Sequence, residues 1–497
     1  MSPSPRCSLG VSGLDTVLHG GLPCGHLFLL EGQPGAGKTT LSLQFLMQGM
    51  KEGERCLYVT LSETAEELRE VAASHGWDLT GIDLFELSSV EEVLGEGQTQ
   101  SVFHSWEVEL GQTIRLVKQE VERLKPRRVV FDSLSELRLL AQDPLRYRRQ
   151  VLSLKQFFTP LNATVLFVDD LTGEGRDRDT QLHSICHGVI SLERFALEYG
   201  SARRRLVVQK IRGATFIAGY HDFNIRTGGI EVYPRLVAAR HHIDFVHRAM
   251  LSGVGQLDAL MGGGFIRGSS TLLTGPAGTG KTTLALQYIA AACARGERCH
   301  VYEFDERIDT LLTRASNMGV DLPGLMAEGL LQITQVDPAE MSPGEFAWNV
   351  FCAVQEQGCS MVVIDSLNGY LSAMPEEKHL LLQMHELLSF LNQSGVTTFL
   401  INPMYGLVGS MDTGPLNVSY IADAVILFRF FEAEGRIRKA ISVIKNRNGK
   451  HEDTIRELFI DGRGLRVGEP LTGFRGVLTG TPEFVGGHQP LLEDRDA

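Results

Sequence analysis

The chain has 497 residues, and 47 Lys and Arg against 60 Asp and Glu give it a net charge of −13. This acidic balance disfavours a protein that wraps nucleic acid by bulk charge, and a hydrophobic fraction of 43% argues against a disordered chain. Eight cysteines are too few for a disulfide scaffold, and the sequence shows neither a secretory leader pattern nor an apolar run long enough to span a membrane. We therefore expect a cytoplasmic protein of about two to four domains.

Strands and helices alternate along each half of the chain. Residues 26–30 form a short apolar run that leads into a glycine-rich loop, and apolar residues recur at helical spacing after Lys38. Further strands are predicted at 57–61, 127–132, 164–169, 204–212 and 438–447, with a helix at 65–73. Because nearly continuous apolar runs are typical of buried parallel strands, the predicted fold class is α/β with a mostly parallel sheet flanked by helices.

The chain contains an internal repeat. Asp15 and Lys38 both recur 243 residues later (258 − 15 and 281 − 38), and Asp132 and Lys210 recur after 233 and 235 residues (365 − 132 and 445 − 210). Four landmarks in the same order indicate two homologous domains. The predicted boundaries are 1–246 for the first domain, 247–482 for the second and 483–497 for a flexible tail.

Each half carries the pattern G-x-x-x-x-G-K-[ST], which is typical of a phosphate-binding P-loop. Glycines allow backbone conformations in which several N–H groups point at one phosphate, and the following helix N-terminus favours the anion. The lysine can reach the β- and γ-phosphates of ATP, and the threonine hydroxyl can bind Mg²⁺. The predicted nucleotide-binding residues are Gly32, Gly35, Gly37, Lys38, Thr39 and Thr40 in the first half, and Gly275, Gly278, Gly280, Lys281, Thr282 and Thr283 in the second.

Acidic residues at two further places complete the predicted chemistry. Asp132 and Asp365 each end an apolar strand, where a carboxylate on the Mg²⁺ side belongs, so Thr39, Asp132, Thr282 and Asp365 are the predicted metal-side residues. Glu63, Asp305 and Glu306 follow the second strand of their half and are the candidate catalytic acids that orient the group attacking the γ-phosphate. The alternative for these three is a helix N-terminus that favours acidic residues.

Two basic pairs, Lys210 with Arg212 and Lys445 with Arg447, lie far from the P-loops in sequence. They are either a solvated strand edge or cations that reach the γ-phosphate bound by a neighbouring subunit, and the sequence leaves both open. The H-x-x-C-H pattern from His183 to His187 differs from the C-x-x-C-H of haem attachment. For this segment we expect a helix end that packs its cysteine, with metal binding as the minor alternative.

Together these landmarks resemble the KaiC family of RecA-like ATPases, over residues 12–482. The most specific parts are the tandem P-loops, the Leu-Asp…Gly-Gly opening of each half and the segment 474–482. The resemblance implies two tandem RecA-like P-loop NTPase domains with ATP and Mg²⁺ as cofactors. It further implies a homo-hexameric double ring with ATP at subunit interfaces, the basic pairs acting in trans, a slow ATPase in the first half and an ATPase with autokinase activity in the second.

The chain departs from the family pattern at several positions. Of the two adjacent glutamates that the family carries after the second strand, the first is Ser62 in one half and Asp305 in the other. The family's Ser-Thr phospho-acceptor pair aligns with Ser419 and Tyr420, so the resemblance implies a serine acceptor without the threonine. The tail after Pro482 is shorter than that of the family's clock protein, so the resemblance does not imply KaiA binding through it. The implied partners are further copies of the chain and KaiB-like or other signalling proteins.

Two other functions compete with this interpretation. A recombinase-like ATPase stimulated by nucleic acid would need a basic loop, and the candidate loops are 171–187 and 404–420. The first carries two arginines offset by acidic neighbours and the second carries no Lys or Arg, so nucleic acid is not the expected partner. The other alternative is a nucleotide-gated scaffold without kinase activity.

Overall fold

A computed structural model describes residues 5–87, 105–171, 180–197, 200–372, 379–404, 420–462, 464–478 and 482–485. The chain divides into two compact units, Met1–Arg235 and Leu236–Ala497. This division lies upstream of the boundary at 246/247 predicted from the repeat. In the described part of the chain, no helix is both long and apolar enough to cross a membrane.

The first unit is built on one large sheet of nine described strands, in the order β11-β10-β9-β8-β3-β7-β6-β4-β5. The six strands from β8 to β5 are parallel, and β9, β10 and β11 extend the sheet with antiparallel pairs. The strands of this unit are β1 (Arg6–Cys7), β2 (Leu22–Pro23), β3 (Leu27–Gly32), β4 (Cys56–Thr60), β5 (Ile82–Glu86), β6 (Arg128–Asp132), β7 (Thr164–Asp170), β8 (Gly188–Phe195), β9 (Arg203–Ile211), β10 (Tyr220–Arg226) and β11 (Gly229–Tyr233).

Helices cover this sheet and begin at recognisable caps. Thr64 and Glu67 form a reciprocal capping box at the start of helix Ala65–Ser74, and the Asp143 side chain accepts the Arg146 N–H at the start of helix Pro144–Phe158. The described helices of the unit are Ser12–Val17, Lys38–Lys51, Ala65–Ser74, Ser105–Leu124, Leu134–Ala141, Pro144–Phe158 and Thr180–Ile185, with a 3₁₀ turn at Thr159–Leu161.

The second unit repeats this architecture with the strand order β16-β15-β17-β18-β14-β19-β20-β21-β22, parallel from β16 to β19 and antiparallel beyond. Its strands are β12 (Ala249–Met250), β13 (Phe265–Ile266), β14 (Ser270–Gly275), β15 (Arg298–Glu303), β16 (Leu331–Gln335), β17 (Cys359–Asp365), β18 (Thr397–Pro403), β19 (Ala424–Ala433), β20 (Arg436–Asn446), β21 (Arg456–Asp461), β22 (Gly464–Pro470), β23 (Phe474–Arg475) and β24 (Glu483–Phe484). Its described helices are Gly255–Leu260, Lys281–Ala294, Ile308–Ser316, Leu322–Ala327, Pro343–Gln355, Leu367–Ser372 and Leu380–Gln393, with a 3₁₀ turn at Ala238–Arg240.

The predicted fold class is confirmed in both units. The central parallel strands are buried along nearly their whole length, as in β3 and β6, because helices cover both faces of the sheet. The antiparallel strands β9 and β20 coincide, within two residues, with the strands predicted at 204–212 and 438–447. Antiparallel pairs at one edge of a parallel sheet are common in α/β folds.

The Leu-Asp…Gly-Gly opening that each half repeats has a structural role. The Asp15 carboxylate accepts the Ser8 hydroxyl at 2.6 Å and the Leu9 N–H at 2.9 Å, and Asp258 accepts the Ser252 N–H at 2.8 Å. Gly21 has a φ of +113°, and a Cβ there would lie 2.3 Å from the Cys7 carbonyl oxygen, so only glycine fits this close approach. The conserved spacing between the halves therefore marks a shared fold at these positions.

Candidate nucleotide sites

The first P-loop joins β3 to the helix Lys38–Lys51. Gly37 takes a left-handed φ of +103° directly before the helix, which frees the backbone N–H groups of the loop to face an anion. The Lys38 side chain is 8% exposed and donates to the carbonyls of Gly32 at 3.0 Å and Gln33 at 3.1 Å. The structure thus brings the predicted residues 32–40 together in one strand–loop–helix turn.

Asp170 is a residue of this site that the sequence interpretation missed. It ends β7, in register with Gly32 at the end of β3, and its Oδ1 lies 2.6 Å from Lys38 Nζ. Its other carboxylate oxygen accepts the Ser135 hydroxyl at 3.3 Å. The only sequence signal for this pair is an acidic doublet, Asp169-Asp170, at the end of an apolar run, because the contact depends on which strand lies beside β3.

The second P-loop repeats the turn with a different environment for its lysine. Lys281 Nζ donates to the carbonyls of Gly275 at 2.9 Å and Pro276 at 2.7 Å. The residue in register with Gly275 on β18 is Pro403, so no carboxylate stands where Asp170 stands in the first unit. Burial lowers the pKa of Lys281 to about 8, and the nearby Asp365 only partly opposes this effect.

A pocket of about 340 Å³ opens beside the second P-loop. It is lined by loop and helix residues Gly278, Gly280, Lys281, Thr282 and Thr283 and by Arg314, Asn317, Met318, Lys439, Ile460 and Asp461. This lining combines the cations Lys281, Arg314 and Lys439, which suit phosphates, with the apolar Met318 and Ile460, which suit a nucleotide base. The residues outside the P-loop come from three separate segments, so their convergence is visible only in the fold.

The predicted metal-side carboxylates lie beside the P-loops. Asp365, at the end of β17, accepts the Thr282 hydroxyl at 2.6 Å. Asp132, at the end of β6, accepts the Tyr58 hydroxyl at 2.5 Å instead. Both carboxylates are 7% exposed, and burial raises the pKa of each.

The oxygen atoms of these side chains fit as ligands of Mg²⁺ bound together with nucleotide phosphates. A hydroxyl and a carboxylate are hard oxygen ligands, and Mg²⁺ is usually held by one or two such groups plus phosphates and waters. Among the described residues, no group of three or more His, Cys, Asp or Glu side chains is arranged to hold a metal ion without further ligands. The residues of the H-x-x-C-H pattern have structural partners: His183 lies 2.8 Å from Glu31, Cys186 is buried, and His187 stacks on His26.

The candidate catalytic acid of the first unit, Glu63, is held by its backbone. Its N–H donates to the Thr60 hydroxyl at 3.0 Å, and that hydroxyl donates to the Glu63 carbonyl at 2.7 Å. Burial raises the pKa of Glu63 to about 7, and Asp132 adds to the effect. Within the described chain its buried Oε2 has no hydrogen-bond partner, which leaves an acceptor free for a water or a substrate hydroxyl.

In the second unit the candidate acids are engaged. The carboxylate of Asp305 accepts the Ser366 hydroxyl, and Glu306 forms an ion pair with Arg314 at 2.7 Å. Arg314 also lines the pocket beside the P-loop. The corresponding position in the first unit is Val71, from the 243-residue offset (314 − 71), so this arginine belongs to the second site alone.

Glu303 is a further acid that the sequence interpretation missed. It ends β15 in register with Asp365 on β17, whereas Thr60 occupies the matching place beside Asp132 in the first unit. Glu303 is 1% exposed; its Oε1 accepts the Glu306 N–H at 3.1 Å, and its Oε2 has no partner in the described part of the structure. Burial, with Asp365 alongside, raises the pKa of Glu303 well above its usual range.

Three of the four residues of the basic pairs contact backbone carbonyls in their own unit. Lys210 Nζ donates to the His183 carbonyl, Arg212 to the Ser184 carbonyl at 2.6 Å, and Lys445 Nζ to the Ala422 carbonyl at 2.6 Å. Arg447 is exposed. These contacts hold β9 and β20 to the segments that precede β8 and β19.

Ser419 lies outside the described residues, as do residues 172–179 of the loop 171–187 and residues 405–419 of the loop 404–420. Tyr420 is the first residue described after the second loop, and it is 55% exposed. The nearby Asp423 carboxylate accepts the Ser270 N–H and hydroxyl, both at 2.9 Å, and the Asn392 amide at 3.1 Å. Asp423 therefore anchors the start of β19 to β14.

Two kinds of comparison relate the chain to known proteins. A family model described as "ATPase: KaiC" matches it twice, at residues 7–237 and 250–472. The circadian clock oscillator protein KaiC of Parathermosynechococcus lividus is 28% identical over 485 residues, which cover 96% of this chain and 88% of the relative. Circadian clock protein KaiC3 of Synechocystis sp. is 28% identical over 488 residues, which cover 96% of this chain and 95% of the relative. KaiC of Synechococcus elongatus is 28% identical over 478 residues, with coverage of 95% and 91%.

The family model matches most of the chain, and each match contains one P-loop and one of the predicted metal-side aspartates, Asp132 or Asp365. The chain belongs to the KaiC family of ATPases and carries two tandem ATPase domains.

Proposed function

We propose that the protein binds Mg·ATP at both P-loops, hydrolyses it, and phosphorylates itself on serine in the second domain. The observation that carries this proposal is the repeated strand–loop–helix turn with a buried lysine, joined in the second unit to the Thr282–Asp365 pair at 2.6 Å. Buried lysine, backbone N–H groups and a hydroxyl–carboxylate pair form the equipment that phosphoryl transfer requires.

Each group has a distinct part in the proposed chemistry. The loop N–H groups and the helix N-terminus hold the phosphates, and Lys38 or Lys281 neutralises charge that builds up on the transferred group. Mg²⁺, which Thr39 and Asp132 or Thr282 and Asp365 would hold, would supply further neutralisation of the phosphate charge. Glu63 in the first unit, and Asp305 or Glu306 in the second, orient the attacking hydroxyl.

Serine phosphorylation is the finer part of the proposal and rests on the family resemblance. Ser419 of a neighbouring subunit is the proposed acceptor, with Tyr420 second because its phenol places the oxygen farther from the backbone. The γ-phosphoryl group passes to the serine oxygen, ADP leaves, and the hydroxyl proton passes to the orienting acid. A phosphoserine carries about −1.5 to −2 charges and can pair with an arginine across an interface.

The proposed assembly is a homo-hexameric ring, with KaiB-like or other signalling proteins as further partners and no role for nucleic acid. Lys210, Arg212, Lys445 and Arg447 are the proposed cations that reach the nucleotide of the neighbouring subunit. A nucleotide bound between chains favours the assembled state, so ATP should tighten the ring by mass action. Light scattering with and without Mg·ATP tests this step, and a monomer in both conditions contradicts it.

The experiment that tests the function is ATP turnover with and without single-stranded DNA, followed by phosphosite mapping after incubation with Mg·ATP. We expect hydrolysis unaffected by DNA and phosphate on Ser419. Phosphate that persists in Ser419→Ala moves the acceptor elsewhere, and hydrolysis without incorporation leaves an ATPase without kinase activity. Stimulation by DNA would favour the recombinase-like alternative.

A further inference from the structure

The two P-loop lysines differ in what holds them in place. Lys38 lies 2.6 Å from Asp170 Oδ1, whereas Lys281, among the residues described, contacts only carbonyl oxygens. The strand register explains the difference, since the neighbour of Gly32 is Asp170 and the neighbour of Gly275 is Pro403. In the described part of the chain, the lysine of the first site is therefore paired with a carboxylate and the lysine of the second site is not.

The γ-phosphate of a bound triphosphate would compete with Asp170 for Lys38. In a P-loop the backbone N–H groups hold the β-phosphate, and the lysine reaches the β- and γ-phosphates. A γ-phosphate within hydrogen-bond distance of Lys38 Nζ either displaces Asp170 or lies next to it as a like charge, and both arrangements cost free energy. A diphosphate lacks the γ-phosphate, so it brings one fewer negatively charged phosphate next to the Lys38–Asp170 pair than a triphosphate does.

Among the described residues, Lys38 is the cation that forms an ion pair with Asp170. The neighbouring Asp169 has its own cation, with Arg138 at 2.7 Å, and Glu31 lies 2.8 Å from His183. Asp170 also acts on the candidate catalytic and metal-side acids. Burial is the main cause of the raised pKa values of Glu63 and Asp132, and the negative charge of Asp170 raises both further.

From this geometry we infer that Asp170 is a specificity-determining residue that makes the first site prefer nucleoside diphosphates to triphosphates, a preference that the second site lacks. The inference rests on the proposed nucleotide binding at the first P-loop. It implies that ADP competes with ATP more effectively at the first site than at the second.

The test isolates the first site in Lys281→Ala and compares ADP with the non-hydrolysable analogue AMP-PNP by competition against a fluorescent nucleotide. We expect tighter binding of ADP, and Asp170→Asn should shift the ratio of the two affinities toward AMP-PNP by at least about tenfold. Asp170→Glu, which keeps the charge, should retain the ADP preference. Asp170→Ser provides a second neutral variant if Asp170→Asn fails to fold.

The second site offers the reciprocal variant. In Lys38→Ala, which leaves only the second P-loop intact, Pro403→Asp should shift preference toward ADP. If both nucleotides bind the first site and the neutral variants leave their ratio unchanged, the inference is wrong and the proposed function stands. If neither nucleotide binds the unmodified protein, nucleotide binding and the inference both fail.

Discussion

Replacing Lys281 with methionine should stabilise the nucleotide-free second domain while removing its response to ATP. The ammonium group is buried and has no ion pair within the described residues. The carbonyls that it contacts keep other donors: the Gly275 carbonyl accepts the Met404 N–H at 3.0 Å, and the Pro276 carbonyl accepts the Thr279 hydroxyl at 2.8 Å. Removing the charge therefore leaves neither carbonyl unsatisfied.

The size of the effect follows from the pKa of Lys281. Burial lowers it from 10.5 to about 8, which corresponds to roughly 3 kcal/mol by which folding disfavours the charged form. Methionine has a similar length and no charge, so Lys281→Met should raise the free energy of unfolding at pH 7 by about 2–3 kcal/mol. The same shift predicts that the unmodified unit gains stability as the pH rises from about 8 toward 10.5, where the unfolded chain binds more protons.

Urea unfolding of the two proteins, with and without saturating Mg·ATP, measures both parts of the prediction. A ligand at one hundred times its Kd adds about 2.7 kcal/mol to the free energy of unfolding. ATP should therefore stabilise the second domain of the unmodified protein against urea, and not that of the variant. Lys38→Met is the matched control. There Asp170 loses its cation, so the gain should be absent or reversed.

A nucleotide-free Lys281→Met protein that unfolds earlier than the unmodified chain would refute this reasoning. It would mean that the contacts of Lys281 with the loop carbonyls outweigh the cost of burying its charge. Equal gains in Lys38→Met and Lys281→Met would refute the part assigned to Asp170.

Three other substitutions test particular contacts. Gly280→Ala should destabilise the second unit by about 1–2 kcal/mol and weaken nucleotide binding, because φ is +107° and a Cβ would lie 2.4 Å from Ile460 Cδ1; calorimetry and nucleotide titration measure both. Burial lowers the pKa of His221 to about 4 from 6.5, so the first unit should lose roughly 3 kcal/mol as the pH falls through this window, and His221→Gln should flatten that dependence in denaturation measured across pH. Asp423→Ala should cost about 2–4 kcal/mol and lower the Tm of the second unit, because the Ser270 N–H and hydroxyl lose their acceptor.

Much of the fold could be predicted because local sequence patterns indicate its strands, helices and P-loops. Buried parallel strands are nearly continuous apolar runs, and a P-loop needs glycines at fixed positions, so 26–30 and 32–40 are recognisable without a structure. The duplication gave independent support, since a chance pattern would not recur in the same order. Those elements appear in the structure within one or two residues of their predicted limits.

The contacts that distinguish the two sites could not be predicted from local patterns. Asp170 meets Lys38, and Glu303 lies beside Asp365, because of the order in which strands are placed in the sheet. Hydrophobic periodicity predicts that a strand exists and which residues it buries, but it does not predict the neighbouring strand. Local patterns likewise do not predict that Arg314, on the helix Ile308–Ser316, lines the pocket beside the second P-loop.

The number of nucleotides bound per chain tests the central claim most directly. Native mass spectrometry or equilibrium dialysis with Mg²⁺ and AMP-PNP, at concentrations well above both dissociation constants, should count two nucleotides in the unmodified protein. Lys38→Ala and Lys281→Ala should each bind one, and the double variant none, with circular dichroism unchanged. One nucleotide per chain in the unmodified protein, or two retained in either single variant, would contradict the account of two P-loop sites.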